Sequence, residues 1–217
     1  MKIAIISANL GDHDKPQEHV AQSIPCDFIM FDNNNFPLRK RTMTARLQSK
    51  IPKFFAWQLV PKYDYYIWVD ANISLCHKDS VKYFLEHCKD HDIVALKHRV
   101  RPDIRQEYRY TRKGIKQNSR YTLARYENEF LKEQYDVIKN DKDYIDDFLI
   151  QGGIFIYKNT PQVQQMLKEW WYYNSRYIIQ DQLSFAYVLK KSGVKYKILD
   201  DIYSESPYLS VKNHNRK

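Results

Sequence analysis

The feature that most limits how this chain can fold is a series of short apolar runs, each closed by turn-forming polar residues and most followed by a stretch with helical spacing. KIAIISA closes at Asn9 and Gly11, CDFIMF closes at Asp32 and three asparagines, and YYIWV and DIVALKH repeat the pattern. Thr42 to Val60 has helical spacing, with a kink or a fresh start expected at Pro52, and SVKYFLEHC reads as a short helix. Tyr121 to Ile138 is helical in period, and DFLIQGGIFIYKN predicts a pair of strands interrupted by Gly152 and Gly153. A helix follows from Pro161, whose missing N–H costs nothing at a first turn, then a helix in QDQLSFAYVLKKSG stopped by Gly193, then a last strand, VKYKILD. Strands alternating with helices imply an α/β fold with a mostly parallel central sheet flanked by helices.

At 217 residues and 43% hydrophobic, the chain suits one α/β domain spanning 1–217, with 211–217 expected as a flexible tail. No run of about 18 apolar residues occurs, and Met1 opens directly onto a strand, so neither a membrane span nor a signal peptide is expected. That predicts a cytoplasmic protein, of a bacterium or a phage-infected host. Cys26, Cys76 and Cys88 are odd in number and lack C-x-x-C spacing, which favours reduced thiols over a disulfide framework or zinc site.

Charge is unevenly spread. Residues 97–126 carry ten Lys or Arg against two acids, a net +8 out of the chain's +9. Such a segment is an electrostatic footprint for a polyanion, or else a solvated helix face. Within it His98, Arg99, Arg101, Arg105, Arg109 and Arg112 are the candidate acceptor-binding residues.

Asp70 and Asn72 directly follow an apolar strand, so both side chains leave the same side of the carboxyl end of a sheet, where open α/β folds bind ligands. A carboxylate with an amide oxygen suits Mg2+ or Mn2+, whose remaining positions go to water and phosphate. The same pair also suits a capped turn. Gly152 and Gly153 allow backbone to approach a ligand, or make a bulge. Asp181 suits either a general base toward an acceptor hydroxyl or an acid favoured at a helix N-terminus.

Several motifs in order carry a resemblance: Ala45 to Lys50, Tyr63 to Asn72, Lys97-His98, Gln151 to Ile154, Trp170-Trp171 and Gln180 to Phe185. Together they resemble a family of small GT-A glycosyltransferase-like domains, formerly of unknown function, with bacterial, phage and plant members. The resemblance implies a GT-A fold and a nucleotide-sugar donor, UDP-linked by preference. It implies that Asp70-Ala71-Asn72 stands for the metal-binding D-x-D motif and Asp181 for the base of an inverting enzyme. Arg46 and Lys50 would face the phosphates, Asn9, Gly11 and Asp32 would border base and ribose, and His214 could complete the metal site. Arg99 stands where the family has proline, and Gln180 where it has arginine, so the departures fall on the acceptor half.

Three readings of the acceptor follow. Tyrosines interleaved with arginines favour nucleic acid, for example hydroxymethylated bases in phage DNA. A cell-envelope glycan or lipid-linked acceptor, with peripheral contact to anionic headgroups, is the second. A non-catalytic polyanion-binding domain on the same scaffold is the third.

Overall fold

The computed structural model describes residues 1–39, 41–202 and 205–212. Strand β1 (Ile3–Asn9) is buried throughout, and β2 (Asp27–Asp32) runs parallel to it in the register Ala4↔Asp27 to Asn9↔Asp32. Helix α1 (Ala45–Leu59) starts at Thr44, whose hydroxyl accepts from Leu47 N at 3.2 Å. Pro52 lies inside this helix, and the expected irregularity falls one turn later at Phe55, with φ −125° and ψ 22°.

Strand β3 (Tyr65–Val69) pairs parallel with β1, and after Asp70 the chain turns into a short strand β4 (Ile73–Leu75). Helix α2 (Ser80–His87), strand β5 (Ile93–Lys97) and helices α3 (Ile104–Lys116), α4 (Arg120–Tyr126) and α5 (Leu131–Asn140) follow. Then come β6 (Ile150–Lys158), α6 (Pro161–Arg176), α7 (Gln182–Lys191), β7 (Tyr196–Leu199) and β8 (Leu209–Val211). The main sheet has the order β2-β1-β3-β6-β5-β7, and β6 alone runs antiparallel to its neighbours. This is the expected α/β architecture with a mostly parallel sheet.

Alternation along the strands sends side chains to opposite faces. Ala4, Ile6, Tyr66, Trp68, Phe155 and Tyr157 meet Phe54 of α1, Trp170 of α6 and Phe185 of α7, while Ile5, Ile67, Val69 and Ile156 meet Val81 and Phe84 of α2. Trp170 anchors the first layer, stacked on Phe185 with ring centroids 3.7 Å apart and edge-on to Phe54 at 4.7 Å. Truncating a side chain so buried costs about 3–5 kcal/mol.

Four local expectations are corrected. Gly152 and Gly153 do not separate two strands; they lie inside the single strand β6, opposite a register shift between Ala95 and Leu96 of β5, so they form a bulge. The helical period from Tyr121 to Ile138 is broken between α4 and α5, where Asn128 takes φ +63°. The basic stretch holds a helix of its own, α3, begun by Asp103, whose carboxylate accepts from Gln106 N at 2.6 Å. Val211 of the expected tail belongs to β8, which pairs antiparallel with β4. Residues 213–217, with His214 among them, lie outside the described residues. Among the described residues no helix is long and apolar enough to cross a membrane.

Candidate functional site

A cleft of about 460 Å3 opens where β1 and β3 end and β6 begins. It is lined by Asp70, Gln151, Gly152 and Asp181, by Arg46 and Lys50 from α1, and by His98, Arg101 and Gln180. Tyr121, Arg125 and Tyr126 of α4 also line it.

Asp181 occupies the N-cap position of α7, yet its side chain makes no capping hydrogen bond. It turns into the cleft, where its Oδ2 accepts from Lys50 Nζ at 2.6 Å and from Lys53 Nζ. Lys53 is fully buried; it also donates to Gly152 O at 2.6 Å and lies 4.0 Å from Asp70 Oδ1. Burial alone would raise the Asp181 carboxyl, but Lys50 and Lys53 outweigh it and hold the group well below the usual carboxylate range. Asp181 thus stands at the helix N-terminus, where the macrodipole favours its charge, and is at the same time an ion-pair centre. The bulge glycine makes room for it, since a Cβ on Gly152 would lie 3.1 Å from Asp181 Oδ1.

Asp70 is tied to the same bulge through its backbone, Asp70 N donating to Gly153 O at 2.8 Å, while its Oδ1 accepts from Trp68 Nε1 at 2.7 Å. Its side chain keeps 36% exposure toward the cleft. Asn72 donates from its amide nitrogen to Lys212 O at 2.8 Å and accepts from Lys212 N on its backbone oxygen at 3.0 Å, holding the start of β4 to the end of β8. One carboxylate and one amide oxygen are hard donors. They fit a cation that brings most of its ligands with it, since among the described residues no three His, Cys, Asp or Glu side chains cluster for a metal.

The donor-side expectations divide. Asn9 lines the cleft, and its amide closes the following loop by bonding both backbone groups of Asp14, at 2.9 and 3.1 Å. Gly11 and Asp32 are not lining residues. Gly11, at φ +74°, lets α1 approach, because a Cβ there would meet Ala45 Cβ at 2.9 Å. The Asp32 carboxylate accepts from Asn34 N and Asn35 N, capping the turn after β2.

The acceptor-side residues divide too. His98 and Arg101 reach the cleft. Burial and the nearby Arg101 push the His98 imidazole down to about 4, so it is neutral at pH 7, and its Nδ1 accepts from Val100 N and Arg101 N. Arg101 pairs with Glu107, a buried carboxylate that also accepts from Gln180 Nε2. Arg99 is exposed and 3.9 Å from Glu205. Arg105, Arg109 and Arg112 are exposed on α3 and are not lining residues.

Sequence reasoning missed Lys53, Gln151, Arg125 and Tyr121. Lys53 had a signal, since Arg46, Lys50 and Lys53 fall at i, i+4 and i+7 on one stripe of α1. Gln151 opened the Gln151 to Ile154 motif but was given no role of its own; it is 8% exposed, and its Oε1 has no hydrogen-bond partner among the described residues.

Compared with known proteins, residues 36–215 match the family described as "TOD1/MUCI70, glycosyltransferase-like domain". No curated protein matches the chain. Among solved structures, a glycosyltransferase involved in glycosylation of the major capsid of PBCV-1 is similar at 11% identity and TM-score 0.48, covering 91% of this chain and 82% of that one. Mouse xyloside xylosyltransferase 1, apo form, is similar at 10% identity and TM-score 0.46, covering 92% and 86%. The 4-diphosphocytidyl-2C-methyl-D-erythritol synthase of Anaerococcus prevotii is similar at 9% identity and TM-score 0.47, covering 94% and 90%. With TM-scores below 0.5 and enzymes of different activities among them, the match that bears on activity is the one to the family.

Proposed function

The chain belongs to the TOD1/MUCI70 glycosyltransferase-like domain family, and on that premise we propose that its cleft moves a sugar from a nucleotide-sugar donor, UDP-linked by preference, to an acceptor hydroxyl. The observation that carries this reading is the meeting of Asp181, Lys50 and Asp70 in the cleft, with the ammonium of Lys53 buried beneath them. At the carboxyl end of a mostly parallel sheet, the Asp181 carboxylate supplies a proton acceptor and Lys50 a cation for a phosphate leaving group, while buried Lys53 holds Asp181 in place.

Asp70, with the amide oxygen of Asn72, would hold Mn2+ or Mg2+ carried in with the diphosphate, and that ion would act as a Lewis acid on the departing phosphate oxygen. In the transfer, the acceptor oxygen bonds to the anomeric carbon as the bond from that carbon to the phosphate oxygen breaks. The nucleoside diphosphate leaves with the electron pair, and the hydroxyl proton passes to the Asp181 carboxylate. A carboxylate held by two lysines is a weak base. A diphosphate competes for Lys50, the more exposed of the two, and each step of Lys50 toward it returns basicity to Asp181. Attack from the Asp181 side inverts the anomeric centre. The free Gln151 Oε1 suits a sugar hydroxyl.

For the acceptor, the exposed row Arg105, Arg109, Arg112, Lys113 and Lys116 on α3 favours a polyanion, and DNA with hydroxymethylated bases is the first to test. Binding of the donor is tested by a thermal-shift screen of nucleotide-sugars with and without Mn2+. A raised Tm with at least one donor supports the reading, and no shift across UDP-, GDP- and CMP-sugars overturns it.

A further inference from the structure

We propose that Arg46 and Arg125 form a clamp for a diphosphate group, so that α4, part of the segment with an acceptor-facing sequence signature, supplies half of the donor's phosphate site. This deepens the reading of the cleft as a nucleotide-sugar site and rests on it.

The two guanidiniums come from different helices. Arg46 stands one turn before Lys50 on α1, and Arg125 lies in the last turn of the short helix α4, yet both line the same cleft. Neither forms an ion pair with a carboxylate among the described residues, whereas Lys50 and Arg101, which line the same cleft, are both paired. Burial and then the Arg125 charge lower Arg46 from its ordinary value, and the same two arginines help burial to lower His13 beside them. Asp14, which also lines the cleft, acts on Arg46 and His13 in the opposite sense, and burial with the mutual repulsion of the two arginines outweighs it, a balance that fits an incoming anion.

Arg125 is also held in place. Its guanidinium lies 4.1 Å from the Tyr121 ring centroid, one turn back on α4. Helix α4 in turn is fastened to α3 where Thr122 lies over Gly114, since a Cβ on Gly114 would meet Thr122 Oγ1 at 2.5 Å. A planar fork with a fixed ring behind it is suited to two phosphate oxygens at once, which a lysine is not. The clamp needs no metal ion, so diphosphate binding through it persists in chelator.

The test is calorimetric titration of the full chain with inorganic pyrophosphate in EDTA, for wild type, Arg125→Gln and the remote surface variant Lys139→Gln. Wild type and Lys139→Gln bind alike, more weakly as salt rises, and Arg125→Gln binds about tenfold more weakly or worse. The Tm of Arg125→Gln without ligand stays level, the removed repulsion from Arg46 offsetting the lost contact with Tyr121. No binding by wild type in EDTA, equal affinity in Arg125→Gln, or lost affinity together with a lower Tm each overturns the clamp. A chain that binds pyrophosphate through Arg125 but consumes no nucleotide-sugar overturns the transferase reading and leaves the clamp standing; an active transferase indifferent to Arg125 does the reverse.

Discussion

Lys53 is fully buried, and its ammonium is held between the Asp181 carboxylate and the carbonyl of Gly152. Burying one charge is tolerable here because its partner is buried with it. Removing either partner alone strands the other. Asp181→Asn or Lys53→Met is expected to cost about 3–5 kcal/mol in urea unfolding, and the double variant to recover part of that loss. Additive losses in the double variant would deny the coupling.

The pH response follows with a definite sign. The folded Asp181 carboxyl lies below its ordinary value of 3.8, so its stabilising contribution is complete above that value and is lost as pH falls through the lower folded value. Wild type should therefore lose stability faster than Asp181→Asn below about pH 4. Parallel acid-unfolding curves for the two proteins would contradict the ion pair.

Gly152→Ala places a methyl 3.1–3.2 Å from the Asp181 carboxylate atoms. The expected outcome is a stability loss of about 1–3 kcal/mol and a larger loss in turnover, since the carboxylate must shift away from its lysines. A crystal structure of the variant with Asp181 unmoved would refute this.

Asn72→Ala should release β8 from β4, because the Asn72 amide is one of the bonds that hold Lys212. Hydrogen exchange at residues 209–212 should speed up while exchange in β1 stays unchanged. Equal protection in both proteins would show that the backbone pairing suffices.

The sheet was legible because its strands are short apolar runs with clear ends, and α1 because Thr44 caps it and its apolar spacing is regular. The inner layout of residues 97–130 was not. Charge dominates that sequence, and two helices, α3 and α4, are cut from it by an aspartate cap and by asparagines in left-handed conformation, at φ +54° for Asn118 and φ +63° for Asn128. At the site, alternation after β3 located Asp70 and Asn72, but what each bonds depends on residues far along the chain, Gly153 and Lys212. Gly11 and Asp32 were placed beside the ligand by the family resemblance, and each also meets a local backbone need, at the approach of α1 and at the turn after β2. The pairing of Lys53 with Asp181 spans 128 residues, and no local pattern announces it.

The most direct measurement is consumption of nucleotide-sugars by the purified chain with Mn2+, followed by mass spectrometry of the released nucleoside diphosphate. At least one donor should be turned over by wild type, and Asp70→Ala should abolish that turnover. No turnover of any donor, or turnover unchanged in Asp70→Ala, would contradict the assignment of this cleft to sugar transfer.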